Sequence, residues 1–282
     1  MKIEHILAGV DFEKQTGNIL AYASLFGERF RASLHLFHVI DYLATPPAYL
    51  DQYIEEEKKA AEEKLAEISK GLSTSGAGLD SRVIVGRLQA SFEAAVTKTG
   101  ADLLILGFAS HALRRSSSEK LIKGLQMPML VVRGKKSEAA VGDITMRKIL
   151  CPVDFSAISN KALQSSRELA QAFSSDLEVM HVIPEAVVKK MRTLVTREIA
   201  SKEVYEQEKK RFEDFLSPFP FEKTVILDQG EPHKRIVEHA QRNDIDLIVI
   251  GARGLGLIQG MLIGSVTDAV LKSSPCPVFV IH

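Results

Sequence analysis

The sequence predicts an α/β protein made of two copies of one parallel-sheet domain. Three observations carry this. HILAGVDF at 5–12 returns as KILCPVDF at 148–155, and the offset of 143 residues holds without a gap from LHLFHVI at 34–40 to LEVMHVI at 177–183. ADLLILG at 101–107 and PMLVVR at 128–133 likewise return as IDLIVIG at 245–251 and PVFVIH at 277–282. Within each half, short apolar runs alternate with segments of helical periodicity, the pattern of parallel strands joined by crossover helices on both faces of a sheet.

In the second half, 148–153 is an apolar run and hence a buried strand. Ala162, Leu163, Ser166, Leu169, Ala170 and Phe173 fall on one helical face. A strand at 177–183 follows, then a long charged helix near 194–216 and a strand at 223–228. The next helix, 232–242, begins at Pro232, which suits a first turn because its missing N–H has no partner there anyway. A strand at 245–250, a helix at 265–273 and a strand at 277–281 complete the half. The first half repeats the order, with a second helix at 51–70 rich in Glu, Lys and Ala. The polar stretch 133–146, RGKKSEAAVGDITM, separates the halves, and a boundary near 141 gives domains 1–141 and 142–282.

Composition excludes several classes. The chain has 282 residues, with Lys+Arg 36 and Asp+Glu 36. This balance gives no reason to expect a nucleic-acid or membrane partner. Cys151 and Cys276 sit in no ligand or redox spacing, and so few thiols suit a reducing compartment. There is no signal-peptide pattern and no apolar run near the ~20 residues that span a bilayer. A soluble, cytoplasmic protein is expected.

In an open parallel sheet, ligands gather beyond the carboxyl ends of the strands, at the switch point. There the second half carries Asp154 after its first strand, Val182 at the end of its second, and GARGLGLIQGMLIGSVTDAV from 251. A glycine-rich loop entering a helix N-terminus lets backbone N–H groups approach an anion closely. Ser265 and Thr267 could add hydroxyl donors. The loop is neither a Walker A loop nor the dinucleotide fingerprint, which belongs after the first strand. Glycines after a strand can also serve turns alone, and Asp154 could simply cap the following helix.

Gly251-x2-Gly254-x9-Gly264-Ser265 resembles the G-2x-G-9x-G-[S/T] motif of universal stress proteins. PVDFS around Asp154, HVIP, GEPHKRIVEHA and PCPVFVI agree, so the resemblance is to a tandem universal stress protein, one copy per half. It implies Rossmann-like, adenine-nucleotide-binding domains, each a five-stranded parallel sheet of order 3-2-1-4-5. It further implies a stress-response regulatory protein that binds ATP, with or without Mg. Asp154 would meet the ribose, Pro152 and Val153 would flank the nucleotide, and Val182 would meet the adenine. Gly251, Arg253, Gly254, Gly264, Ser265, Val266 and Thr267 would meet the phosphates and ribose. The resemblance also implies an internal pseudo-dimer formed through the terminal strands 128–133 and 277–281, a homodimer of chains, and a protein partner that the sequence does not identify.

The first half departs from the motif. Ala109 and Ser110 stand opposite Arg253 and Gly254, Arg115 and Ser116 opposite Gly264 and Ser265, and the segment is five residues shorter. This half is therefore expected to have lost the nucleotide site, although Arg114 and Arg115 could hold another anion. The alternative function is a slow ATPase or nucleotidyl-transfer enzyme of the same fold. It is weakened because the sequence shows no carboxylate–histidine pair beside the glycine loop. His38 and His181 occupy matching positions and are expected to be satisfied beside the sheet. Cys151 is expected in the core, and Cys276 partly exposed.

Overall fold

A strand with no polar member is stable only where both its faces are covered. The computed structural model places the apolar runs in such positions. It describes residues 1–13, 15–41, 51–72, 78–108, 117–133, 144–187, 197–220, 223–254 and 263–282. These fall into two compact units, Met1–Ile144 and Thr145–His282. The expected boundary at 141 lies outside the described residues.

The first unit runs β1 (His5–Gly9), α1 (Thr16–Phe30), β2 (Ser33–Asp41), α2 (Asp51–Lys70), β3 (Leu79–Gly86), α3 (Leu88–Thr99), β4 (Leu103–Gly107), α4 (Ser117–Gly124) and β5 (Met129–Val132). All pairings are parallel, in the order β3-β2-β1-β4-β5. β1, β4 and β5 are buried almost throughout, Ile6, Leu103, Leu104, Ile105 and Leu130 completely. The outer β3 buries only Val83 and leaves Ile84 and Val85 exposed.

The second unit runs β6 (Lys148–Pro152), α5 (Ala157–Phe173), β7 (Asp176–Pro184), α6 (Arg197–Leu216), β8 (Thr224–Gly230), α7 (Pro232–Arg242), β9 (Leu247–Gly251), α8 (Ser265–Ser273) and β10 (Val278–Ile281). Its strands are also parallel, in the order β8-β7-β6-β9-β10. In both units the order reverses at the first strand, whose neighbours are reached by crossovers in opposite directions. That reversal opens a crevice at the carboxyl end of the first strand.

The amino ends of the strands are fastened alike in both units. Asp102 Oδ2 accepts from the N–H of Glu4 and His5, and Asp246 Oδ2 from the N–H of Arg147 and Lys148. The predicted helical face of α5 is the one that packs, with Ala162, Leu163 and Leu169 fully buried. Among the described residues no helix is long and apolar enough to cross a membrane. Both cysteines are buried, and burial pushes each thiol up to about 12. The partial exposure expected of Cys276 is thus corrected: its N–H and carbonyl both bond the Ser274 hydroxyl, which folds residues 274–276 inward.

Candidate functional site

The crevice of the second unit holds a cavity of about 320 Å³. Pro152, Val153, Asp154, Val182, Gly251, Arg253, Gly254, Gly264, Ser265, Val266 and Thr267 all line it, so the structure brings together the residues that the resemblance assigns to the nucleotide.

Asp154 is carried by a tight turn at the end of β6. Its Oδ1 accepts from the Ser156 N–H at 3.1 Å and the Ser156 hydroxyl at 2.6 Å. Phe155 between them takes a left-handed φ of 66°. Ser156, not Asp154, caps α5, its hydroxyl accepting from the Ser159 N–H at 3.1 Å. Asp154 Oδ2 lies on the side of Gly254, where a Cβ would come within 2.1 Å of it.

The Met180 carbonyl accepts from the Val153 N–H at 2.8 Å, so Met180 turns its polar backbone toward β6. By the two-residue period of a strand, Val182 does the same, but β6 has ended at Pro152. The N–H and carbonyl of Val182 therefore project past the end of β6 at the cavity, while its side chain is buried.

Residues 255–262 of the glycine-rich segment lie outside the described residues; its two stems do not. The Gly264 N–H donates to the Ala252 carbonyl at 2.7 Å, the Ala252 N–H to the Ile281 carbonyl at 2.7 Å, and the Thr267 hydroxyl to the Gly251 carbonyl at 2.7 Å. One expectation is corrected here. Thr267 is buried with its hydroxyl hydrogen already engaged, so it offers no hydroxyl donor to a ligand. The N–H of Gly264 is engaged as well. What α8 offers instead is the first turn itself. Asp268 N–H bonds the Gly264 carbonyl, whereas the N–H groups of Ser265, Val266 and Thr267 have no acceptor within the helix. With the helix dipole, they form an anion-binding end.

The opposite wall was not legible in the sequence. α6 contributes Glu208 and Arg211, and the turn after β6 contributes Phe155. The Phe155 ring lies 4.2 Å from that of His181, and the Arg211 guanidinium 4.9 Å over Phe155. His181 Nδ1 bonds the Val153 carbonyl at 2.8 Å. Its Nε2 lies 3.4 Å from Glu208 Oε2, and Glu208 Oε1 accepts from Arg211 Nη1 at 2.8 Å. A carboxylate–histidine pair therefore lines the cavity, on the wall opposite the glycine-rich segment. Its members are 27 positions apart, one on β7 and one on α6, so no local spacing announces it. Burial pulls the His181 pKa below 6.5, against the raising influence of the Val153 carbonyl and Glu208. The repeated Phe12/Phe155 and His38/His181 were the signal that this wall is part of the design.

The first unit shares the frame, with a shorter stretch of chain after its fourth strand. Asp11 Oδ1 accepts from the Glu13 N–H at 2.9 Å, Phe12 has a φ of 58°, and His38 Nδ1 bonds the Val10 carbonyl at 2.7 Å. The Ser118 hydroxyl bonds the Gly107 carbonyl as Thr267 bonds that of Gly251. This tie spans 11 residues in the first unit and 16 in the second, so the intervening loop is five residues shorter. Ala109, Ser110, Arg114, Arg115 and Ser116 lie outside the described residues.

The universal stress protein family model matches residues 2–133 and again 145–282. The chain is 28% identical over 151 residues to the universal stress protein YxiE of Bacillus subtilis, covering 48% of this chain and 98% of that one. It is 32% identical over 137 residues to a universal stress protein of Thermus aquaticus, covering 48% of this chain and 98% of that one. Each of these relatives corresponds to about half of the present chain. The crystal structure of a universal stress protein from Archaeoglobus fulgidus superposes with a TM-score of 0.74 at 21% identity, covering 100% of this chain and 99% of that one. That likeness extends to both halves of the fold.

Proposed function

The chain belongs to the universal stress protein family, and on that premise we propose that it is an ATP-binding, stress-response regulatory protein whose nucleotide is held by the second domain. One observation carries the proposal. A backbone edge at Val182, a fixed carboxylate at Asp154 and the open N-terminal turn of α8 line one cavity in that order from β7 to β9. This matches the base, sugar and phosphates of an adenine nucleotide. The adenine lies past the end of β6 against Val182, with Pro152 and Val153 flanking it. The ribose hydroxyls meet Asp154. The phosphates, with or without Mg, meet the N–H groups of Ser265, Val266 and Thr267, with Arg253, Gly251, Gly254 and Gly264 beside them. The first domain, with its shorter loop, serves as a structural partner and holds no nucleotide.

Calorimetric titration of the full chain with ATP tests this directly. One equivalent bound per chain is expected. Two equivalents, or none, would overturn it.

A further inference from the structure

His181 is 5% exposed, yet it belongs to a wall of the ligand cavity. The Val153 carbonyl can only accept, so Nδ1 carries a hydrogen wherever the 2.8 Å bond exists. In neutral His181, Nε2 is therefore a bare lone pair, buried and without a hydrogen-bond partner. The polar atom facing it, Glu208 Oε2 at 3.4 Å, is an acceptor too. The cover over Nε2 comes from α6. Besides Glu208, that helix places Phe212 5.8 Å from the imidazole and Arg211 over Phe155, whose own ring lies 4.2 Å from His181. A buried acceptor with no partner is costly, and water relieves that cost once α6 moves aside.

The charged groups acting on His181 are Glu208 and Arg211, both from α6. They oppose each other: the carboxylate favours an imidazolium, and the guanidinium 2.8 Å from that carboxylate disfavours it. From β6 the ring meets the Val153 carbonyl and, just beyond, the Phe155 ring; from β8 its register partner is the apolar Leu227. Burial outweighs the raising influences and holds the covered ring below 6.5. Lifting α6 removes the cover and both charges together and opens Nε2 to water, which returns the ring to about 6.5. A proton therefore binds the lifted arrangement more readily than the packed one.

We propose that α6 is an acid-released wall of the cavity: it packs over a neutral His181 and lifts when that ring takes up a proton. Glu208 and Arg211 leave with it, so the cavity opens on that side. The device belongs to the second domain. In the first, Lys64 takes the place of Arg211, 5.8 Å over Phe12. Three residues before it, Ala61 stands where α6 has Glu208. His38 keeps the carbonyl bond but is only half-buried. The helix α2 is therefore a control within the same chain.

The test needs no ligand. From about pH 7.5 to about pH 4.5, NMR of the full chain gives the His181 midpoint, and backbone hydrogen exchange gives the protection of α6 relative to α5. The midpoint should lie below 6.5. The α6-to-α5 ratio should be constant above 6.5, begin to fall there and level off below the His181 midpoint. Linkage ties the two readouts: for each pH unit by which the midpoint lies below 6.5, the ratio should lose about tenfold in all. Protection of α2 relative to α1 should show no such fall. His181→Gln cannot titrate, so its α6-to-α5 ratio should not change with pH. Should that variant not fold, Glu208→Gln should lower the midpoint further and prolong and deepen the fall, because the carboxylate that favours the imidazolium is gone. A midpoint at or above 6.5, a wild-type ratio that stays flat or rises on acidification, an equal fall in α2, or a fall that persists in His181→Gln would overturn the proposal. Release of a fluorescent ATP analogue should quicken as the ratio falls. This last readout rests on the nucleotide proposal: no binding of the analogue would count against that proposal, whereas the NMR and exchange results judge the movement of α6.

Discussion

A Cβ at Gly254 would lie 2.1 Å from Asp154 Oδ2, whereas a Cβ at Gly264 would meet nothing closer than 3.5 Å. The two glycines of the motif are thus constrained differently. Asp154 cannot simply swing away, because its Oδ1 is held by the Ser156 N–H and hydroxyl. Gly254→Ala should therefore displace the carboxylate and weaken ATP by the loss of one charge-assisted hydrogen bond, about 1.5–3 kcal/mol or roughly ten- to a hundred-fold. Gly264→Ala, at an ordinary φ of -76°, should bind within a few-fold of wild type. Calorimetry on both variants decides, and equal losses would show that the motif acts through loop flexibility alone.

Asp154 does two jobs, and two substitutions separate them. Asp154→Asn keeps an oxygen for Ser156 and removes the charge, so it should lose about 1.5–3 kcal/mol of ATP affinity with little change in melting temperature. Asp154→Ala also frees Ser156, the N-cap of α5, and should lower the melting temperature in addition, by a destabilisation of about 0.5–2 kcal/mol. If Asp154→Asn binds ATP normally, the carboxylate has no part in holding the ribose.

Thr267 is a structural residue by the same logic. Its buried hydroxyl closes the loop by donating to the Gly251 carbonyl at 2.7 Å. Thr267→Val keeps the shape and orphans that carbonyl, a cost of about 1–3 kcal/mol. Thermal unfolding should shift down by several degrees, and Thr267→Ser should recover most of the loss. An unchanged melting temperature for Thr267→Val would mean that the carbonyl finds another donor.

The sequence carried the frame of the fold because a duplicated chain states each element twice. KILCPVDF against HILAGVDF, and IDLIVIG against ADLLILG, fix the central strands of both units without reference to anything distant. The glycine spacing likewise picked out one rim of the cavity. The other rim was hidden, because α6 reads as a charged, solvated helix. Glu208 points inward from among Glu206, Lys209, Lys210 and Arg211, and only the packing of Phe212 shows which face is buried. Thr267 was misjudged for a related reason: a hydroxyl at a helix start can serve a ligand or the chain, and only the position of the Gly251 carbonyl distinguishes them.

Three histidines should make the protein acid-sensitive before its carboxylates titrate. Burial holds His35 and His181 below 6.5 and His282 at about 4, with Asp80 opposing the shift at His35 and the charge of Arg253 adding to it at His282. Both ring nitrogens of His35 and of His282 are buried without a hydrogen-bond partner, and the carboxylate near His35, Asp80 Oδ2 at 3.9 Å from Nδ1, does not outweigh burial there. For each, the folded chain takes up a proton less readily than the unfolded chain. Stability is then fully present above 6.5 and declines as pH falls from 6.5 through the folded values, toward about 4 for His282. Urea midpoints should fall steadily over that window. His282→Gln cannot titrate, so its curve should be flatter in the lower part of the window, where His282 takes up its proton only after every unfolded histidine has done so. A wild-type midpoint that rises on acidification would mean that the histidines gain partners in the folded chain, with their pKa values raised rather than lowered.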